Sequence, residues 1–332
     1  MNIKKLIKRI IPKWSFKVLS GQINNHHLKK ELSIERKQFI KHYSSSFNYS
    51  QDSLKTRLIF NTHAIEKGLS HISFRINFGH TALTNIKTLL DIWNKFSYPK
   101  TVIEYEMALS VLKSYKKKHL EISGKVPDFF ANLFAHYNSE IDNARESLGG
   151  YIKTEAIDSS KLNFKELMAN RFSIREFDSS PLNMDKLKDA VRIATRSPSV
   201  CNRQTCRVHI IQDPAVMSKI IRIQGGFKGY SNPPVLLILT SDRTCFLSTL
   251  EINEPFVDGG IFAMSLMLAL QYENLGQCPL NAMMSSKSKE KIRKLANIKP
   301  SEEIIMFFVV GNPLKVTPHP LSYRKSDKEI TL

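Results

Sequence analysis

The sequence predicts a mixed helix-and-strand fold preceded by a mostly helical region. Three observations lead there. Between residues 53 and 150 the apolar residues recur at helical spacing. Beyond residue 160, short apolar runs that read as strands (207–212, 234–240 and 304–310) alternate with helical stretches. Those strands are few for a chain of 332 residues, a length that suggests two domains or one enlarged one. The expected organisation is a basic arm over residues 1–50, a helical region over 51–155 and a mixed domain over 156–332.

Hydrophobic residues make up 42% of the chain and charged ones 24%, enough for a core under an ordinary soluble surface. The net charge of +19 is unusual and favours polyanionic partners. Residues 1–50 carry eleven Lys and Arg against two Glu, which is nearly half of the excess. Ile3, Leu6, Ile7, Ile10 and Ile11 lie there among Lys4, Lys5, Lys8 and Arg9, with Trp14 and Phe16 following. This basic amphipathic pattern fits peripheral contact with an anionic membrane, and equally a helix docked by its apolar stripe. No nucleic-acid module accompanies it, so nucleic acid is the weaker reading. Cys201, Cys206, Cys245 and Cys278 form no C-x-x-C pair, which disfavours zinc. With no secretory signal, and with residues 259–272 too short to span a bilayer, a cytoplasmic protein with reduced thiols is expected.

The elements follow in order. Leu54, Leu58, Ile59 and Ala64 open a helix that Gly68 should cap. Leu83, Ile86, Leu89, Leu90 and Trp93 line a second helix over 81–96. Tyr105, Leu109, Leu112 and Tyr115 line a third over 102–119. Phe130, Leu133, Phe134 and Ile141 line a fourth over 127–148, closed by Gly149 and Gly150. His63 and Glu66 stand three residues apart, followed by His71. They are a thin basis for a metal site and suit a helix end, or a segment that closes over a site in the second half. Residues 151–160 read as a polar connector, and 162–170 as a short helix. Asn183 caps a helix over 183–194, Asp213-Pro214 starts another to Gln224, and residues 256–274 form a buried helix. Residues 329–332 alternate like a last strand.

Two clusters stand out. Arg171, Ser173 and Arg175 alternate in an extended segment, so all three side chains share one face. Paired guanidiniums hold phosphate bidentately, where lysine offers a point charge. Pro198, Ser199, Asn202 and Gln204 gather hydroxyl and amide groups that match a ribityl chain or the donor–acceptor edge of an isoalloxazine. The helix over 183–194 lies between the clusters. A ligand that needs both is anionic at one end and a planar heterocycle at the other, which describes flavin mononucleotide. Lys228, beside Gly225, Gly226 and Gly229, could reach a phosphate. The backbone of Cys278, Pro279, Leu280 and Asn281 could meet a ring edge, and Tyr323-Arg324-Lys325 is a further basic group. The absence of G-x-S-x-G leaves serine-hydrolase chemistry without an anchor.

These residues resemble the FMN-dependent nitroreductase family. The pieces are Arg171-Phe-Ser-Ile-Arg175-Glu-Phe177, Ser197-Pro-Ser-Val-Cys-Asn202-Arg-Gln204, the helix from Asp258 through Leu270 with Leu275-Gly276 behind it, and the Gly311-Asn312-Pro313 strand end. They cover residues 163–332 in family order. The resemblance implies an α+β fold, a small mostly antiparallel sheet wrapped by helices, in an intertwined homodimer with FMN at the interface. The strand at 329–332 would cross to the partner. Arg171, Ser173 and Arg175 would hold phosphate, ribityl and ring edge; Ser199, Asn202 and Gln204 would line ribityl and ring; Cys278 to Asn281 would contact the ring by backbone; Arg324 would be a second phosphate arginine. Gln204-Thr205-Cys206 stands where the family often has Gln-Pro-Trp, so that wall differs. The implied activity passes electrons from NADH or NADPH through FMN to a small-molecule acceptor, with no catalytic side chain required. Flavin modification, dehalogenation or non-catalytic FMN binding on a scaffold are the alternatives.

Overall fold

In the computed structural model, residues 13–331 are described, with side chains from residue 21. The helix Lys13–His42 comes first. Residues 1–12, with most of the basic cluster, lie outside the described part. Within this helix the apolar Ile23, Leu32, Ile34, Phe39 and Ile40 are exposed and do not gather along one side, so the amphipathic pattern expected for the arm does not extend through it. Its Glu35 accepts a hydrogen bond from Asn253 (3.0 Å).

The helical region packs Gln51–Leu69, His80–Lys95, Ile103–Ser123, Asp128–Leu133 and Asn138–Asp142 around one core. The apolar residues read at helical spacing form it: Leu54 and Leu58, Leu83, Ile86 and Trp93, Tyr105 and Tyr115, and Phe130 and Phe134 are all buried. Two expectations fail here. Gly68 does not cap its helix, which continues to Leu69 and ends on Ser70. Gly68 is needed for space, because a Cβ there would lie 1.9 Å from the Phe78 ring. The fourth helix is broken into two short ones around a 3-10 turn at Ala135–Tyr137. The Tyr137 hydroxyl is held by Asp91 and Asn94 (2.9 Å each), and this tertiary anchor takes precedence over helix continuity.

The polar connector is in part a strand. β1 (Tyr151–Glu155) pairs antiparallel with β6 (Val316–Pro320), so the end of the helical region is stitched to the C-terminal tail. The main sheet has the order β2 (Cys206–Ile211), β3 (Val235–Asp242), β5 (Glu302–Gly311), β4 (Gly276–Asn281), antiparallel throughout. Leu237 and Phe308 face one side with the helices Met184–Ala194 and Glu254–Tyr272. Leu236, Ile238, Phe307 and Val309 face the other, with Pro214–Gln224 and Ser286–Ala296. Burial on both faces explains why β3 is a continuous apolar run. The fold is therefore α+β, an antiparallel sheet wrapped by helices behind a helical region.

Residues 276–281 form strand β4 rather than the ragged end of the preceding helix. Pro279 is tolerated because β4 is an edge strand with one side free of ladder bonds. The last strand expected at 329–332 is instead a helical turn, Asp327–Ile330. The Ser326 N–H and hydroxyl both donate to the Glu329 carboxylate (2.8 and 2.9 Å), and the Ser-x-x-Glu signature outweighs the short alternation. Leu332 lies outside the described residues.

The helix Glu254–Tyr272 is apolar and long enough to cross a bilayer by length and composition. It lies on the sheet through Asp258, Gly259, Ala263, Leu266 and Leu270, and leaves Phe256, Val257 and Ile261 exposed on its other side, near exposed Leu247 and Leu250.

Candidate functional site

The extended segment after Asn170 is fixed from below by β4, where the Ile174 N–H donates to the Gln277 carbonyl (2.9 Å). Ile174 is buried against Gly276, and Phe172 stacks on the buried His319 of β6 (3.8 Å between ring centres). Arg171, Ser173 and Arg175 open into one cleft of about 500 Å³ together with Ser322, Tyr323 and Arg324, so the alternation put them where the sequence said. One wall is the helix Gln51–Leu69, through Ile59, Thr62, His63 and Glu66. These positions follow i, i+3, i+4, i+7 and form a single helical face.

The cleft is cationic and short of counter-charge. Arg175 donates to the Ser173 carbonyl (3.2 Å). Among the described residues no carboxylate is in ion-pair range of Arg171, Arg175 or Arg324, although neighbouring Lys325 finds Glu104 at 3.6 Å. Burial, then the nearby Arg324, pulls the Arg171 pKa down. Burial, then Arg175, does the same to the half-buried Lys67. Charges desolvated and unpaired in this way are costly unless an anion joins them. The one carboxylate lining the cleft, Glu66, is already engaged: its oxygens take the Gly150 N–H (3.2 Å) and face His63 Nδ1 (3.2 Å). Behind the segment, His71 bonds Glu176 (3.1 Å) and stacks on Tyr230 (3.9 Å), which fixes Arg175 to the helical region.

Cys278 is buried, and burial pushes its thiol pKa up against the opposing influence of Arg175. This favours the protonated form and gives no support to a nucleophile. Leu280 is likewise buried, in the core beneath β4. Asn281 accepts a hydrogen bond from Gln224 through its backbone carbonyl (3.0 Å). Lys228 is exposed and lines neither this cleft nor the one below.

The second cluster lies elsewhere in the chain. Ser199 and Gln204 line a separate cleft of about 230 Å³ with Thr205, Asp258 and Phe262. Cys201, Asn202 and Gln204 adopt φ of 48°, 54° and 51°, three left-handed non-glycine residues within four positions. Such conformations persist only where the surroundings enforce them, and they concentrate at ligand sites. Buried Asp258 accepts from the Val200 N–H (3.0 Å) and the Thr205 hydroxyl (3.1 Å). Arg203 grips Glu251 with two bonds (2.8 and 3.2 Å). Asn202 and Gln204 are exposed at the end of this pinned loop. One chain thus does not bring Asn202 and Arg171 into one cleft.

Sequence reasoning missed Thr62 and Ser322; it weighed His63 as a thin metal ligand or a helix-end residue, and also offered its segment as one that closes over a site in the second half, which is where the cleft wall places it. The available signal was polar residues recurring on one face of an otherwise apolar helix. Among the described residues no group of three or more His, Cys, Asp or Glu gathers to hold a metal.

Residues 168–227 and 230–312 match the family model described as Nitroreductase family, so the C-terminal half of the chain is nitroreductase-like. A Thermus thermophilus protein named NADH dehydrogenase is 30% identical over 99 residues, covering 30% of this chain and 48% of that protein, about half its length. Among solved structures, a nitroreductase-like protein from Streptococcus mutans is 19% identical, covering 51% of this chain and 96% of its own (TM-score 0.44). A nitroreductase family protein from Streptococcus pneumoniae is 19% identical, covering 51% and 99% (TM-score 0.43).

Proposed function

We propose that the chain is an FMN-dependent oxidoreductase that takes electrons from NADH or NADPH and delivers them to a small acceptor, with each site completed by a second copy of the chain. The carrying observation is the cleft of Arg171, Arg175 and Arg324, three guanidiniums without a carboxylate partner among the described residues, of which Arg171 is partly desolvated. The phosphate of FMN is an anion suited to them. The family match over residues 168–312 and the name of the Thermus relative support the redox class.

Geometry supports the second copy. Arg171 lines the first cleft and Asn202 stands exposed beside the second, so a cofactor that touches both takes one from each chain. The helix that carries Asp258 also exposes Phe256, Val257 and Ile261, an apolar face beside the pinned loop. A two-fold partner seated there would bring Ser199, Asn202 and Gln204 to the other chain's cleft. FMN, when bound, supplies the electron-transfer chemistry. The chain's own residues hold the phosphate (Arg171, Arg175, Arg324), line the remainder of the cofactor (Ser173 and the partner's loop) and position the backbone of β4 beneath it.

The test uses the purified full chain. It should take up FMN, turn yellow, sediment as a dimer and bleach anaerobically with NADH or NADPH; a monomer that refuses added FMN overturns the proposal. Arg171→Met should weaken FMN binding by about ten- to a hundredfold, as expected for losing a charged hydrogen bond. Mixing unfolded Arg171→Met and Asn202→Ala chains and refolding them together should restore about one quarter of the sites, because only mixed dimers contain an intact one. No recovery would place both residues in a single-chain site.

A further inference from the structure

The helical region does more than shield the cleft. We infer that the helix Gln51–Leu69 is part of the phosphate site, with the Thr62 hydroxyl and the His63 imidazole as additional ligands to the phosphate monoester that Arg171 and Arg324 attract. This rests on the reading of the cleft given above and adds a layer to it that the matched residues 168–312 do not contain.

Thr62 is 1% exposed and lines the cleft, yet its Oγ1 has no hydrogen-bond partner. A buried hydroxyl left unpaired is rare in a finished core, and an acceptor from a ligand would satisfy it. Ser322 gives an independent sign. It sits in the left-handed region at φ 49°, between β6 and Arg324, with its Oγ 3.4 Å from His63 Nδ1. A strained serine in the lining of the same cleft marks a backbone held for contact rather than for its own ease.

His63 is oriented for the task. The buried Glu66 fixes Nδ1 as the protonated nitrogen, and Gly150 occupies the other oxygen of Glu66. The carboxylate is thereby engaged away from the incoming anion. Nε2 has no partner among the described residues and, in the protonated ring, is a donor for a phosphate oxygen. The donor set around the anion is then two guanidiniums from the C-terminal half, a hydroxyl and an imidazole from the helical half. The β1–β6 pairing locks the two halves together.

The experiment titrates the full chain with FMN and with riboflavin, which lacks the phosphate, and follows thermal protection by inorganic phosphate. Thr62→Val preserves shape and removes the unpaired hydroxyl; His63→Ala removes the ring. Each should weaken FMN binding by about tenfold, leave riboflavin affinity unchanged and reduce protection by phosphate. Thr62→Ser should bind FMN as the parent does, and Thr62→Val without ligand should melt no lower than the parent. If both variants bind FMN normally, or weaken riboflavin equally, this inference falls while the proposed function stands. If the parent binds no flavin yet loses phosphate protection in both variants, the phosphate site stands and the FMN assignment falls. If the parent responds to neither flavin nor phosphate, both fall.

Discussion

The two polar clusters of the C-terminal half are built in opposite ways. The Arg171 cluster opens into a cleft, with Arg171 itself partly desolvated and a wall borrowed from the helical region. The Asn202 loop stands at the surface, with its backbone strained and clamped while its amides face outward. The proposed assembly in pairs rests on the complementarity of these two clusters.

The comparison can be broken most forcefully at Asp258. Asp258→Ala leaves the Val200 N–H and the Thr205 hydroxyl without their acceptor. A loss of about 2–3 kcal/mol in urea denaturation is expected. A variant as stable as the parent would show that the loop does not depend on this carboxylate. A somewhat smaller effect is expected where the recessed cluster meets its wall. Gly68→Ala places a methyl group against Phe78 and must displace the ring or the helix. A cost of about 1–3 kcal/mol is expected, together with weaker FMN uptake because Thr62 and His63 move with the helix. Unaltered melting and uptake would mean that the wall adapts.

The mildest perturbation sharpens the contrast through pH. Hydrogen bonds from Arg203, then from the Leu247 N–H, hold the Glu251 carboxyl down to about 2 from an ordinary 4.5. A carboxylate with a lowered folded-state pKa adds stability that is complete above its unfolded value and is lost as pH falls through the folded one. The loop should therefore loosen between about pH 4.5 and 2. Glu251→Gln should flatten that part of the stability profile and leave the region above it parallel to the parent. An unchanged acid limb would show that the clamp contributes nothing there.

Much of the architecture was legible because it depends on local signals. Asn183 and Asp213 accept the first helical N–H groups as their side chains suggested. The apolar run of β3 announced a strand with two covered faces. The shared face of Arg171, Ser173 and Arg175 followed from alternation alone. What escaped was set by distant partners. β1 is short and largely exposed, and is a strand only because β6 lies beside it. β4 contains a proline that is acceptable only at a sheet edge, a position invisible before the strand order is known. The basic helix Ser286–Ala296 packs on the sheet only through Ile292, Leu295 and Ala296 at its end, an apolar stripe too short to stand out among its lysines. Thr62 looked like any helical threonine until the Arg324 tail, more than two hundred residues away, was found across the cleft.

The small β1–β6 ribbon also bears on how this chain can be cut. A fragment trimmed to the recognisable C-terminal unit would begin after Glu155 and leave β6 without its mate. The peptide leading to Arg324 would then lose its anchorage, and this arginine would drift from its place in the cleft. Engineering or inheritance that moves the sheet alone to a new protein would deliver a scaffold with an open pocket. The two halves have to travel as one piece.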